Sequence, residues 1–453
     1  MSIIVLSNEL LNRIIGFVAQ DAADTKDSSH YIYWPRLHQI PLVSHRFLAI
    51  ATPIIRQTFI ESKGDSMELF IRALLRKEPP VLGTSIKRFT SMRCYNELDN
   101  PMQTWTGADF GLAETVLRDV SSDEMATSWM DALRDGNVNA LAGLALFLLP
   151  NLEELTFNEY SNNLGDERNT YVSHALNKAS ISQNEGQLNG VFSLAKLREV
   201  AISYADTENG LYLSTLVPFL KLKSVKRLSA HAVADESFEA GGKKFYAEEL
   251  ELNLTSIEGS CLVSFLGCFP TLKRFKYGIG DATVGHYDFS PRAFATAIGA
   301  LEHCLEEFII EDDWESFNFG DDLDDSLPFG SLKEFEKLRK IVCKSAMLLG
   351  DPETIEDFHM NDDDSDHDEN QEIPVTEMSL VDVIPKSLKD LTLFDCDGGN
   401  ELDHLRELLL WREELELEIR FIEFDYGRKE YEKEEAEALR RDCETVGITF
   451  VYR

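Results

Sequence analysis

The feature that most restricts this chain is a spacing. Residues 388–396 read LKDLTLFDC, with leucines at offsets 0, 3 and 5 and Cys396 at offset 8. One copy says little, because leucine is common and an amphipathic helix also shows Leu-x-x-Leu. The spacing recurs, however. Ile86-Phe89-Ser91, Leu152-Leu155-Phe157, Leu197-Val200-Ile202, Val225-Leu228-Ala230 and Ala247-Leu250-Leu252 all follow it. So do Leu272-Phe275-Tyr277, Leu305-Phe308-Ile310, Leu338-Ile341-Cys343 and Leu388-Leu391-Leu393. Offsets 1 and 2 are charged through the series: KR, EE, RE, KR, EE, KR, EE, RK, KD.

This spacing predicts strands. Offsets 3 and 5 are two residues apart, so their side chains share one face of a strand, while offsets 2 and 4 share the other. Offset 0 fills the turn into the strand. Consecutive strands of this kind lie parallel only if a crossover of a dozen residues or more, usually a helix, joins them. The intervening segments supply helices. SMELFIRALLRKE precedes the first copy and NALAGLALFLLPN the second, STLVPFLKL, SCLVSFLGCFP and PRAFATAIGALEHCL lead into later ones, and NELDHLRELLLWREE follows the ninth. The C-terminal stretch reads as a helix with Ala436, Leu439 and Cys443 inward, then Gly447 and a last strand over 448–452. A helical repeat also tolerates Leu-x-x-Leu. Glycine and proline before many copies, and β-branched or aromatic residues at offsets 3 and 5, favour strands. The expected fold is therefore α/β.

The pattern L-x-x-L-x-L-x-x-C resembles a leucine-rich repeat. Unit spacings of 66, 45, 28, 22, 25, 33, 33 and 50 residues make the array degenerate, with insertions. That resemblance implies a solenoid with parallel strands on a concave face and helices on a convex one.

The N-terminal residues carry a second resemblance. LSNELLNRIIGFVAQ, residues 6–20, reads as an amphipathic helix capped by Ser7, with Leu10, Ile14 and Val18 at a spacing of four. Pro41 and Pro53 bracket a second helical run containing Val43, Phe47 and Ile50; Ile54, Ile55 and Phe59 follow. Leu6-Ser7-Asn8-Glu9-Leu10 with Ile14, and Val43-Ser44-His45-Arg46-Phe47, resemble the two halves of an F-box. Ser7 stands where that family usually has proline, and residues 21–36 form a longer connection than most members have. Together the two resemblances point to the fungal type of F-box/leucine-rich-repeat protein. They imply a three-helix adaptor-binding domain over 1–62 and a degenerate repeat domain over 66–453. They also imply a role: a substrate-recognition subunit of a cullin–RING ubiquitin ligase, with no chemistry of its own. Leu6, Leu10, Ile14, Val43 and Phe47 would then dock on the Skp-family adaptor of the cullin scaffold. The outward stripe would hold a protein substrate: Glu249, Glu251, Arg274, Lys276, Glu307, Ile309, Lys340, Val342, Lys344, Asp390, Thr392 and Phe394. A repeat scaffold without a ligase role is the alternative from these residues.

Composition narrows the rest. The chain holds 80 acidic and 44 basic residues, a net charge of −36. Nucleic-acid and anionic-membrane binding both need a positive footprint, so neither is expected. Seven scattered cysteines without a C-x-x-C fit neither a disulfide framework nor a zinc site. With no reading of a signal peptide at the N-terminus, they suit a reducing cytoplasmic or nuclear setting. No stretch approaches the ~18 apolar residues of a membrane span. There is no G-x-S-x-G, H-E-x-x-H or Walker-type loop, and GIGDATVG, residues 278–285, misses the dinucleotide fingerprint. No cofactor and no metal are expected. The acidic insertion around 351–374 carries eleven Asp or Glu and no Lys or Arg between 351 and 372. It lacks the glycine and terminal glutamate of a calcium loop, and its charge predicts a solvated, disordered segment. A second acidic cluster, 311–325, includes Trp314, Phe317 and Phe319 and is expected to be partly ordered.

Overall fold

A computed structural model describes residues 7–11, 13–15, 44–61, 66–77, 82–91, 104–159, 170–186, 192–204, 210–280, 289–312, 327–350, 378–396, 400–426 and 433–453. Twelve strands pair in parallel, in strict sequence order. They are β1 (Thr58–Ile60), β2 (Arg88–Ser91), β3 (Glu154–Glu159), β4 (Glu199–Tyr204), β5 (Arg227–Asp235) and β6 (Glu249–Ile257). The series continues with β7 (Arg274–Ile279), β8 (Glu307–Asp312), β9 (Lys340–Lys344), β10 (Asp390–Phe394), β11 (Phe421–Asp425) and β12 (Thr449–Tyr452). All nine copies of the sequence spacing fall on strands β2 to β10, and every residue at their offsets 0, 3 and 5 is buried. An all-parallel sheet of an α/β protein is thus the architecture.

Nine strands, β2 to β4 and β6 to β11, start in one way: a single carbonyl at offset 1 of the preceding unit accepts two N–H groups, from offsets 1 and 2 of the next. The Lys226 carbonyl takes Glu248 and Glu249 at 2.8 and 3.0 Å, that of Glu248 takes Lys273 and Arg274, and that of Lys273 takes Glu306 and Glu307. Glu306, Arg339 and Lys389 repeat the arrangement, as do Gln57, Lys87 and Glu153 earlier in the chain. A carbonyl has two lone pairs, so both are used and both strand-leading amides are satisfied at these nine starts.

The chain divides into two compact units, residues 1–202 with 222–225, and residues 203–221 with 226–453. In the first, four helices, Gly107–Val120, Asp123–Arg134, Val138–Leu148 and Thr170–Asn184, fill the long connections around β3. The run VNALAGLALFL is apolar almost all round and is almost wholly buried. Trp129 packs on it, fully buried, donating its indole N–H to the Ala140 carbonyl at 2.9 Å. A Cβ on Gly143 would lie 2.7 Å from the Trp129 ring and 2.9 Å from the Tyr171 backbone, so glycine lets these helices meet. Asp109, fully covered, accepts two bonds from Arg76 at 2.6 and 2.8 Å and two from Thr106, tying helix 107–120 to helix Ser66–Arg76. The arginine beside it holds the Asp109 carboxyl well below the usual range, against the opposing effect of burial.

In the second unit, β5 and β6 each carry a non-glycine residue with left-handed backbone, Ala232 at φ 59° and Leu254 at φ 48°. The two lie at matching places, and the β6–β7 register slips between Leu252 and Thr255. Strand β7 then passes close by. A Cβ on Gly280 would sit 2.7 Å from Leu254, and one on Gly278 3.2 Å from Asn253. The glycines of GIG therefore serve a bulge. Asn253 and Thr255, which match a glycosylation sequon, lie within β6, and Thr255 is fully buried.

Several elements differ from the sequence reading. Helix His45–Ile55 runs through Pro53 rather than stopping at it. Residues 58–60, placed after a helical run, form β1 and pair with β2. Strand β11 is an additional unit with Ile419, Ile422 and Phe424 buried at offsets 0, 3 and 5. The helices at 107–134 and 170–184 were not expected, and residues 236–248, between β5 and β6, contain no helix at all. The acidic insertion around 351–374 lies outside the described residues. Of the 311–325 cluster only Glu311 and Asp312, at the end of β8, lie within them.

Candidate functional site

Two surfaces carry the residues selected from the sequence. The first is the side of the strands opposite the buried rows. Register places Glu249, Arg274, Glu307, Lys340 and Asp390 in one row across β6 to β10, and Glu251, Lys276, Ile309, Val342 and Thr392 in the next. Lys344 and Phe394 are paired in register two residues further along β9 and β10. Eleven of these twelve residues are partly or fully exposed. Ile309 departs: at 7% exposure it is covered, although it points away from the core rows.

The charges on this face are spent on one another. Arg227 pairs with Glu249 at 2.9 Å, Arg274 with Glu307 at 3.6 Å, and Lys276 bridges Glu251 at 3.4 Å and Glu311 at 2.6 Å. Burial works against the charge of Lys276, but the carboxylates of Glu311 and Glu251 outweigh it and hold its ammonium above the ordinary lysine value. Lys340 and Asp390 stand opposite each other in register, Lys344 meets Asp395 at 3.7 Å, and Arg453 meets Glu423 at 2.7 Å. At the strand starts a second row repeats the theme. Glu248 is held between Lys273 and Lys226, which keep its carboxyl below its ordinary value. The alternating signs seen in the sequence are a lattice of cross-strand pairs, each of the kind that contributes a few tenths to ~1 kcal/mol.

Between these pairs one row loses its charge over β8 to β10, before Glu423, the register partner of Thr392, restores it on β11. The row that reads Ser229, Glu251, Lys276 on β5 to β7 reads Ile309, Val342, Thr392 on β8 to β10. Phe394 follows Thr392 on β10, and Phe421 opposes Asp390 on β11. Val342, Thr392, Phe394 and Phe421 all remain partly exposed. Phe421 escaped the sequence reading together with its strand; the spacing of Ile419, Ile422 and Phe424 was the signal that could have found it.

The second surface is at the N-terminus. Residues 8–11 and 13–15 are helical and pack on helix His45–Ile55 through a small core of Leu11, Ile15, Phe47 and Ala51. Arg46 donates to the Asn8 side chain at 2.7 Å across the pair. Leu10 and Ile14, one helical step from that core, are 48% and 37% exposed, and Leu48 is 44% exposed. The structure thus separates the expected docking residues: Leu10 and Ile14 face outward, Phe47 faces inward and supports them, and Leu6 and Val43 lie outside the described residues. Leu48 joins the outward set without having been expected from the sequence.

No group of three or more His, Cys, Asp or Glu among the described residues is placed to hold a metal ion. Cys261, Cys268, Cys304, Cys343, Cys396 and Cys443 are buried, and desolvation pushes the thiols of Cys261 and Cys443 up to about 12 and 11, away from the reactive thiolate. No helix among the described residues is long and apolar enough to cross a membrane. Comparison of the chain with family models and with curated proteins returned no match.

Proposed function

We propose that this chain is a binding subunit of a cullin–RING ubiquitin ligase, an F-box followed by a degenerate leucine-rich-repeat array. In this reading the N-terminal helices hold a Skp-family adaptor and the outward side of the repeat strands holds a protein substrate. The observation that carries it is the exposed apolar set Leu10, Ile14 and Leu48 on a helix pair whose own core is already filled by Leu11, Ile15, Phe47 and Ala51. Apolar side chains held outward on a small formed core are what a docking face requires. The parallel repeat agrees with the array that follows F-boxes in that family.

Capture of a purified Skp-family adaptor by the full chain tests the reading. Leu10→Ala with Ile14→Ala removes the outward anchors and leaves the inner core untouched. Truncated anchors of this kind often cost ~2 kcal/mol or more each, so with both removed capture is expected to fall by several hundredfold, ~4 kcal/mol. The melting temperature is expected to hold. Failure of the unaltered chain to capture the adaptor, or undiminished capture by the double variant, would leave a repeat scaffold without a ligase role.

A further inference from the structure

The substrate side of the proposed function can be made more specific, and only the word substrate depends on that function. From the charge pairing and the apolar positions together we infer that the exposed strand face binds an uncharged, aliphatic or aromatic segment of a partner protein in extended form, across β9 to β11, on Val342, Thr392, Phe394 and Phe421.

Complementarity favours an uncharged segment. Around this patch Lys344 is held by Asp395, Glu423 by Arg453, and Lys340 faces Asp390. On the other side Arg274 is engaged by Glu307, and Lys276 is shared between Glu251 and Glu311. A charged segment laid here would find its countercharges already engaged and would have to break pairs to gain one. An uncharged apolar segment leaves every pair intact and removes four apolar or half-apolar side chains from water. The patch runs diagonally over the three strands. Val342 and Thr392 are register partners, and Phe394 lies two residues along from Thr392 on the same face. Phe421 lies one strand over and one pleat back, beside Glu423, the register partner of Thr392 that Arg453 holds. Neighbouring strands are ~4.8 Å apart and an extended chain advances ~3.3 Å per residue, so three strands match about three to four residues of a crossing segment. Thr392 adds a hydroxyl within this run, able to meet a backbone amide or carbonyl of the segment. The neutrality of the patch contrasts with a net charge of −36 over the chain.

The test selects a phage-displayed library of random dodecapeptides on the purified full chain. Uncharged peptides rich in Val, Ile, Leu, Phe or Tyr should be enriched, and a synthetic copy of one should bind with an affinity nearly independent of salt between about 0.05 and 0.5 M. Val342→Glu with Phe394→Glu should weaken that peptide by about thirtyfold or more. Phe394→Ser with Phe421→Ser, a milder pair, should also weaken it and guards against a folding defect, with the thermal melt measured on each. Arg134→Glu, an exposed change on helix Asp123–Arg134 and not on the strand face, should leave it unchanged. Enrichment of acidic or basic peptides, binding that falls steeply with salt, binding indifferent to both apolar variants, or no enrichment would overturn the inference. Adaptor capture measured on the same proteins separates the two readings: peptide binding without adaptor capture removes the ligase role alone, and adaptor capture without peptide binding removes this site alone.

Discussion

Removing Arg76 should cost far more than an arginine that is one-third exposed would suggest. Its guanidinium meets both oxygens of Asp109, whose side chain has no exposure at all. Arg76→Ala leaves that carboxylate buried with only the amide and hydroxyl of Thr106, at 2.8 Å each, to hold its charge. Breaking a buried pair by deleting one partner costs ~3–5 kcal/mol. For a unit of this size each kcal/mol shifts the melting temperature by ~2–4 °C, so a fall of roughly 6–20 °C is expected. Asp109→Asn in the Arg76→Ala background removes the stranded charge, so the double variant should be more stable than Arg76→Ala alone. The same geometry sets the sign of the pH dependence. The Asp109 carboxyl titrates below its ordinary value in the folded chain. Its contribution is therefore complete above the unfolded value of ~3.9 and is lost as the pH falls below it toward the folded value. Urea midpoints followed by tryptophan fluorescence between about pH 7 and pH 3 measure this, with Trp105, bonded to the Glu68 carbonyl on the same helix, as a reporter. A loss under ~1 kcal/mol for Arg76→Ala, or a double variant whose cost equals the sum of the two single ones, would refute the reasoning.

Gly143→Ala should destabilise the first unit by more than ~2 kcal/mol, because backbone of Tyr171 rather than a flexible side-chain end stands in the way; a thermal melt decides it. Phe275→Ala, at a fully buried offset-3 position, should cost ~3–5 kcal/mol by the same measurement. Arg274→Glu faces Glu249 and Glu307 with a like charge on an exposed face, and should cost only ~1 kcal/mol, less at high salt. In native protein at pH 8, a disulfide reagent should leave Cys261, Cys343, Cys396 and Cys443 unlabelled until urea unfolds the chain, as mass spectrometry of labelled peptides would show.

The fold was legible where one row of side chains repeats its chemistry. Leu250, Phe275, Phe308, Ile341 and Leu391 are register partners in sequence order, and the spacing alone selected each of them. It failed at the first strand because a polar pair replaces the apolar one there. Glu61 stands next to Ser91 at offset 5, both buried, with the serine hydroxyl donating to the carboxylate at 2.7 Å. It failed at β11 because the preceding leucines, through Leu410, Leu415 and Leu417, continue the look of a helix into the strand. The spacing put the outward stripe on the side of the strands away from the core, where all its members but Ile309 are at least partly exposed, and showed that its signs alternate. Only the register between neighbouring strands, which no single sequence states, shows that its charges are offered to each other. Likewise Phe47 sits at helical spacing with Val43 and Ile50, and periodicity alone did not tell which side of its helix meets the other.

The shared carbonyl at these nine strand starts has a consequence for how such a chain can change. Because strands β2 to β4 and β6 to β11 are each aligned by two amides on one oxygen of the predecessor, alignment is renewed at each of these units and does not depend on how much chain intervened. The intervals between successive copies range from 22 to 66 residues, yet the register of β2 with β3 is as regular as that of β9 with β10. Lengthening a closed loop twofold costs only ~0.6 kcal/mol, so a crossover can take up a long insertion at little expense to the sheet. Length is thus decoupled from alignment. Peptide tags or whole domains grafted into the connection between β2 and β3 should be carried as passengers, whereas inserting a single residue between offsets 0 and 3 would turn every following side chain of that strand to the opposite face.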